Sequence, residues 1–449
     1  MLLAARYVIP VSGHHIEYGA VLVRGENIVE VGEFESLRAA HQDEPVRDFG
    51  LAALMPGFVD LHTHLEYSAM RGVADDLPYA RWKLQVMELE PRLDEQDWRD
   101  SALLGALEAM QSGITTVADI TTSGNAVGAT TQAGLRAVIF REIQTMEKPL
   151  VPGIMEHAAS DIEAWSSAGR DGLLTVGIAP HSPYSCHPEV FRRAGDYARE
   201  TGRPAAIHLA GSREEYAFVK YGSSRLAVDV RAEYDGRAPG WLPTGVSPVR
   251  YVLQWGLYDV PELIAVHCTQ VDDEDIEILA SRDVAIAHCP RCNAKLAMGL
   301  APLAKFIRAG IRVGIGTDSP AATNSMDMFV EMRTGLLLQR AVLGEDQWVS
   351  AREFIQISTL DAARALGMGD RIGSLDPGKQ ADIIAIDLSH SHQVPTQDPY
   401  STIIHTGNTE DVIFTMVAGR VVYENGVCPT LDTERLFLRA DELRDKLRA

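Results

Sequence analysis

The 449-residue sequence predicts an α/β protein, a distorted (β/α)8 TIM barrel flanked by a small β-sandwich built from both chain ends. Three observations predict it. Eight short apolar runs have the length of buried strands, at residues 53–61, 115–120, 137–140, 174–178, 205–209, 263–267, 284–288 and 312–316. Segments of helical periodicity separate most of them, at 98–111, 188–200, 273–280 and 303–309. At both ends the rhythm changes to short strands and turns, at 7–10, 20–24 and 27–31 and again at 381–386, 411–417 and 420–423.

The β-domain is expected over 1–52 and 374–430, the barrel over 53–373 and a closing helix over 431–449. Residues 433–448 read as a charged amphipathic helix on the surface, a solvated piece. The length suits one large domain with a satellite, and 46% hydrophobic with 23% charged residues suits a large core. Acids outnumber bases by 62 to 41, a net charge of −21. Such a surface repels phosphate backbones and anionic membranes, so no nucleic acid or membrane partner is expected, and a small-molecule substrate is. The start of the chain has no basic segment before Arg6, and no apolar run reaches the roughly 20 residues of a membrane span. Five cysteines make a disulfide framework a poor reading, which with the preceding points suggests a reduced, cytoplasmic protein. Cys289 and Cys292 form a C-x-x-C with no second pair, so a structural zinc there is disfavoured.

Barrel enzymes hold their chemistry at the C-terminal strand ends. The first strand ends in Asp60-Leu61-His62-Thr63-His64, and alternation puts His62 and His64 on one side. Later strands end in His208, His267, His288 and Asp318. One histidine in an apolar run is usually a packed core residue, but five histidines and an aspartate at one rim are a ligand set. Imidazole plus carboxylate suits one divalent ion, Zn²⁺ first and Fe²⁺ next, and argues against Mg²⁺ or Ca²⁺.

These motifs resemble those of the amidohydrolase superfamily. Pro56-Gly57-Phe58-Val59-Asp60-Leu61-His62-Thr63-His64 is similar to its first-strand signature. Pro180-His181-Ser182-Pro183-Tyr184, His208-Leu209, Val266-His267-Cys268, His288-Cys289-Pro290 and Gly316-Thr317-Asp318-Ser319 resemble, in order, motifs of its cytosine-deaminase-like, atrazine/triazine-hydrolase branch. Within it, His64-Leu65-Glu66-Tyr67-Ser68 and His288-Cys289-Pro290-Arg291-Cys292-Asn293 are most similar to aminodeoxyfutalosine deaminases of the menaquinone pathway. The resemblance implies His62, His64, His208 and Asp318 as metal ligands, His267 beside the hydrolytic water, and Asp318 as proton acceptor. It implies substrate contacts at Trp82, Arg141 and His181, deamination of an adenine-bearing nucleoside or related heterocycle, and, by analogy with the family, a homodimer. Glu90 reads as a solvated helix face.

One position departs from the pattern. Deaminases of this branch carry a glutamate three residues after the fifth-strand histidine, where this chain has Gly211. A missing general acid commonly costs about 10²–10⁴-fold. Three readings follow: a deaminase lacking its acid, a replacement carboxylate such as Glu66, or hydrolysis of a halide, carbamate or amide that needs no ring protonation. A metal-binding homologue of low activity is the remaining alternative. Residues 221–256, with Tyr221 and Trp241, read as a lid loop offering aromatic surface.

Overall fold

The computed structural model describes residues 1–169, 172–226, 242–344 and 348–448. Eight parallel strands form the barrel in chain order: Phe58–Thr63, Ile114–Thr121, Arg136–Ile143, Leu174–Pro180, Ala205–Leu209, Leu263–His267, Ala285–His288 and Val313–Ile315. The eighth strand does not ladder against the first. A single bridge, Thr63 to Asp318, connects those two rims, which makes the barrel distorted. Asp60 reinforces this seam: its carboxylate accepts from Thr317 N at 3.0 Å, from Thr317 Oγ1 at 2.5 Å and from His62 N at 3.3 Å.

The intervening helices start where side chains satisfy their free N–H groups. Asp94 and Asp272 build capping boxes for Glu95–Gln111 and Asp273–Ser281, and Ser212 caps Arg213–Tyr221.

The apolar run at 53–61 is two strands, not one. Ala52–Pro56 pairs with Leu2–Val8 and Ile383–Asp387 in the outer sheet, and only Phe58–Thr63 enters the barrel. Gly57 lies between them, where a Cβ would come within 2.1 Å of Thr115 Cγ2. Only a residue without a side chain lets the chain cross so close to the second barrel strand. The outer sheet has eight strands drawn from both chain ends, with Val412–Val417 and Arg420–Glu424 at one edge. A buried ion pair ties it to the barrel. Arg136 donates to both oxygens of Asp382, at 2.9 and 3.1 Å, and Asp382 also accepts from Ala418 N at 2.7 Å.

The helix Thr433–Arg448 is docked rather than a free solvated piece. Leu436, Leu443 and Leu447 are buried, and Arg439 donates to Asp97 and Asp100 on Glu95–Gln111 at 2.8 Å each. Among the described residues no helix is long and apolar enough to cross a membrane.

Candidate active site at the barrel mouth

The strand ends open into a cavity of about 530 Å³. His62, His64 and His208 meet at its floor, with ligand-capable atoms within 4.8 Å of one another. Asp318 faces them: its Oδ1 lies 3.5 Å from His62 Nε2 and 4.0 Å from His64 Nε2, and its Oδ2 lies 3.8 Å from His267 Nε2.

Hydrogen bonds fix which nitrogen of each ring is free. His64 Nδ1 lies 2.8 Å from Ile120 O and His208 Nδ1 lies 3.1 Å from His181 O. A carbonyl only accepts, so both Nδ1 atoms carry the proton and both Nε2 atoms offer lone pairs. His267 Nδ1, 3.0 Å from Asn293 Oδ1, is held the same way. His62 Nε2 is buried and has no hydrogen-bond partner among the described residues. An orphaned buried nitrogen costs free energy unless something fills its lone pair.

Electrostatics agrees with this state. Burial, added to by neighbouring imidazoles, lowers His64 to about 3 and holds His208 well below its usual value, and burial lowers His267 to about 4. All three are neutral near pH 7. Burial alone would raise Asp318, but the imidazoles around it, His62 first and then His267 and His64, hold it well below the carboxylate range. Neutral imidazoles beside an ionised carboxylate are the protonation states a divalent cation requires, and ring tautomers locked by carbonyls are the usual support for such ligands. These residues fit a single divalent ion of the zinc type. Two of them, His267 and Asp318, sit in left-handed backbone conformations (φ 74° and 60°), strain that clusters at functional sites.

The other expected site residues divide. Glu66 lines the cavity, buried, with its carboxylate accepting from Thr121 and Ser123 hydroxyls. Trp82 lines it too, donating to Ala321 O at 3.1 Å and stacking on Tyr79. His181 lines it from the fourth strand, with Nδ1 2.6 Å from Ser185 Oγ. Glu90 is not on a solvated face: it lines the cavity and accepts from Tyr67 OH at 2.9 Å.

Arg141 turns away. Its Nε donates to Asp161 Oδ2 at 2.8 Å on the flanking helix Val151–Ala168, so it cannot contact a ligand in the cavity. The third strand continues to Ile143, and its pleat brings Phe140 and Glu142 to the inner face and Arg141 to the outer. Glu142 is the residue the sequence reading missed. Its Oε1 lies 3.9 Å from His181 Nε2, its Oε2 accepts from Thr122 Oγ1 at 3.0 Å, and burial pushes its carboxyl up. A longer third strand with counted alternation would have found it. His288 also leaves the ligand set: it is buried but does not line the cavity.

Gly211 follows the fifth strand, and its N–H and that of Ala210 donate to Glu215 at 2.8 Å each. Glu215 is therefore bound beneath the loop rather than in the cavity. A Cβ at 211 would lie 3.1 Å from both His267 Cδ2 and Met298 Cε, so Met298 occupies the space beside this position. In the expected lid, Trp241 lies outside the described residues, and Tyr221 is exposed, under the Lys220 ammonium and away from the cavity wall.

Comparison with known proteins places this architecture. The amidohydrolase family matches residues 53–422, and a bacterial imidazolonepropionase-like composite domain matches residues 19–41. A 5-methylthioadenosine/S-adenosylhomocysteine deaminase of Moorella thermoacetica is 34% identical over 98% of this chain and 97% of its own. An adenosine deaminase of Xanthomonas campestris, solved with bound zinc, superposes with a TM-score of 0.87 at 30% identity, covering 100% of this chain and 98% of its own. Atrazine chlorohydrolase of Arthrobacter aurescens, complexed with zinc, shares the fold, with a TM-score of 0.84 at 24% identity over 99% of both chains. The chain belongs to the amidohydrolase family and is a hydrolase of carbon–nitrogen bonds.

Proposed function

We propose that this enzyme deaminates an adenine-bearing nucleoside with a neutral or cationic 5′ substituent, using one divalent ion held by His62, His64, His208 and Asp318. The observation that carries this reading is the meeting of the proton-free Nε2 atoms of His64 and His208, the unpartnered Nε2 of His62 and an ionised Asp318 below an aromatic-walled cavity. The deaminase relatives and the zinc-bearing adenosine deaminase support the same chemistry. Zinc is the ion the imidazole-rich donor set suits best.

A divalent ion at this site supplies Lewis acidity and brings the pKa of a water it binds from about 15.7 to about 7. Asp318 Oδ2 accepts the proton of the attacking water. His267, its Nδ1 proton held by Asn293, turns the Nε2 lone pair to the same spot, where it accepts a hydrogen bond from the attacking water and orients it. The water oxygen bonds to the carbon bearing the amino group, the proton taken by Asp318 passes to that amino group, the carbon–nitrogen bond breaks, and nitrogen leaves as ammonia. Gly211 supplies no acid for the ring nitrogen. Glu142 and His181, side by side next to His208, hold the proton that the ring nitrogen takes up.

The wall argues the substituent. Tyr79, Trp82, Val86, Met87, Leu93 and Trp98 offer stacking and apolar surface, suited to a base and a thioether. Glu66 and Glu90 face Lys83 across the remaining lining among the described residues. With Arg141 turned outward, a carboxylate-bearing substrate such as aminodeoxyfutalosine meets more negative charge than positive.

The test is ammonia release from adenosine, 5′-methylthioadenosine, S-adenosylhomocysteine and aminodeoxyfutalosine. The expected order places neutral 5′-methylthioadenosine above aminodeoxyfutalosine in kcat/KM. The reverse order overturns the substituent argument, and no ammonia from any of the four overturns the deaminase reading. Gly211 favours a second reading, displacement of a halide that leaves without a proton. Chloride release from a chlorinated heterocycle, with no ammonia release from the nucleosides, would establish that reading instead.

A further inference from the structure

The two oxygens of Asp318 face two different groups of ligands. Oδ1 looks toward His62 and His64, at 3.5 and 4.0 Å. Oδ2 looks toward His267 Nε2 at 3.8 Å, and Cys292 completes a second cluster there, with the ligand-capable atoms of His267, Cys292 and Asp318 all within 4.8 Å. All three residues are buried, and all three line the cavity. Cys289 is absent from this cluster, its sulfur directed toward Ala287 O at 3.9 Å. The C-x-x-C pair is thus split by its helix, Pro290–Lys295, and one thiol is delivered to the reaction chamber.

We propose that His267, Cys292 and Asp318 form a second, weaker cation site, selective for soft divalent ions such as excess Zn²⁺ or Cd²⁺, whose occupation inhibits the enzyme. The inference rests on the reading of His62, His64, His208 and Asp318 as the resident ion's site. One nitrogen, one sulfur and one carboxylate oxygen are the donors of a tetrahedral site, with the fourth position open to the cavity. His267 needs no reorganisation, because Asn293 already holds its proton on Nδ1. The thiol selects the ion, since sulfur ligands favour soft cations over Mg²⁺ or Ca²⁺. On binding, the S–H bond breaks, its proton goes to water, and the sulfur pair bonds to the cation, with no change of oxidation state.

Weakness follows from geometry. Both clusters draw on the one carboxylate of Asp318, so two like-charged ions would divide it and repel each other. Inhibition follows from identity. The second ion takes His267 Nε2 and Asp318 Oδ2, the two groups that would handle the attacking water.

The test titrates metal-free full-length protein with Co²⁺, because thiolate ligation gives a near-ultraviolet charge-transfer band that imidazole and carboxylate do not. The first equivalent should bring visible d–d absorption alone, and the second should bring the thiolate band. Cys292→Ser and Cys292→Ala should keep the first signal, which also reports their folding, and lose the second. Cys289→Ser should keep both. In activity assays, excess Zn²⁺ should inhibit the native enzyme, and Cys292→Ser should need at least about tenfold more, since changes that only support a ligand cost about 10–100-fold in affinity. A thiolate band with the first equivalent would overturn both the second site and the resident ligand set. No thiolate band at any loading, with the first signal intact, would overturn the second site alone.

Discussion

Nε2 of His62 lies 3.5 Å from Oδ1 of Asp318, although one residue belongs to the first barrel strand and the other follows the eighth. The contact exists because Thr63 bridges Asp318, Asp318 N donates to His62 O at 2.9 Å, and Asp60 clamps Thr317 from below. The least regular seam of the barrel is therefore where two ligand candidates meet. Asp318→Asn removes an anionic donor from both clusters. The dialysed variant should lose more than the roughly 10–100-fold in metal affinity that supporting groups contribute, with turnover falling in step. Metal analysis checks it, and a full equivalent with normal turnover would exclude Asp318 as a ligand.

Neighbours on one strand should behave oppositely. Glu142→Gln should lower kcat by about 10²–10⁴-fold with a smaller change in KM, as expected of a proton-transfer group. Arg141→Gln, which breaks the pair with Asp161, the bond to Glu142 O and the contact over Trp165, should cost about 1–3 kcal/mol of stability and leave kcat within about twofold. Steady-state kinetics of the two variants decides it. Equal losses would mean that the pleat assignment has no functional consequence.

Gly211→Glu restores the residue that the family pattern expects, yet the space beside it is taken. The new Cβ would meet His267 Cδ2 and Met298 Cε at 3.1 Å, an overpacking that should cost about 1–3 kcal/mol. Adding Met298→Ala should recover much of that stability and let the carboxylate reach the cavity, so ammonia release should rise in the double variant above the single one. Urea unfolding with the ammonia assay tests both parts. A single variant as stable as the native chain would refute the steric account.

Arg136 and Asp382 hold the outer sheet against the third barrel strand, both almost wholly buried. Arg136→Leu leaves the Asp382 charge uncompensated and should cost about 3–5 kcal/mol in denaturant unfolding. Arg136→Leu with Asp382→Asn should recover part of it, because an amide oxygen still accepts from Ala418 N. A single substitution costing under about 1 kcal/mol, the range of an exposed pair, would show that this link contributes little.

The sequence carried the order of eight strands and helices, because short apolar runs and a 3.6-residue repeat of apolar side chains are local properties. It also carried the rim position of His62, His64, His208, His267 and Asp318, since a parallel barrel puts every strand's C-terminal end on one face. What it left open depended on neighbours distant in the chain. Arg141 and Glu142 are equally plausible at a strand end, and only the packing of Val151–Ala168 against the outer face assigns one to Asp161 and the other to the cavity. The run at 53–61 reads as continuous until two sheets claim its halves and Thr115 leaves Gly57 no room for a side chain. Cys289 and Cys292 look like a pair on paper, but the turn into Pro290–Lys295 separates them and brings Cys292 to His267 and Asp318. Periodicity fixes which residues share a face, and tertiary packing decides which face looks inward, because that depends on the area and polar partners offered by elements far away in the chain.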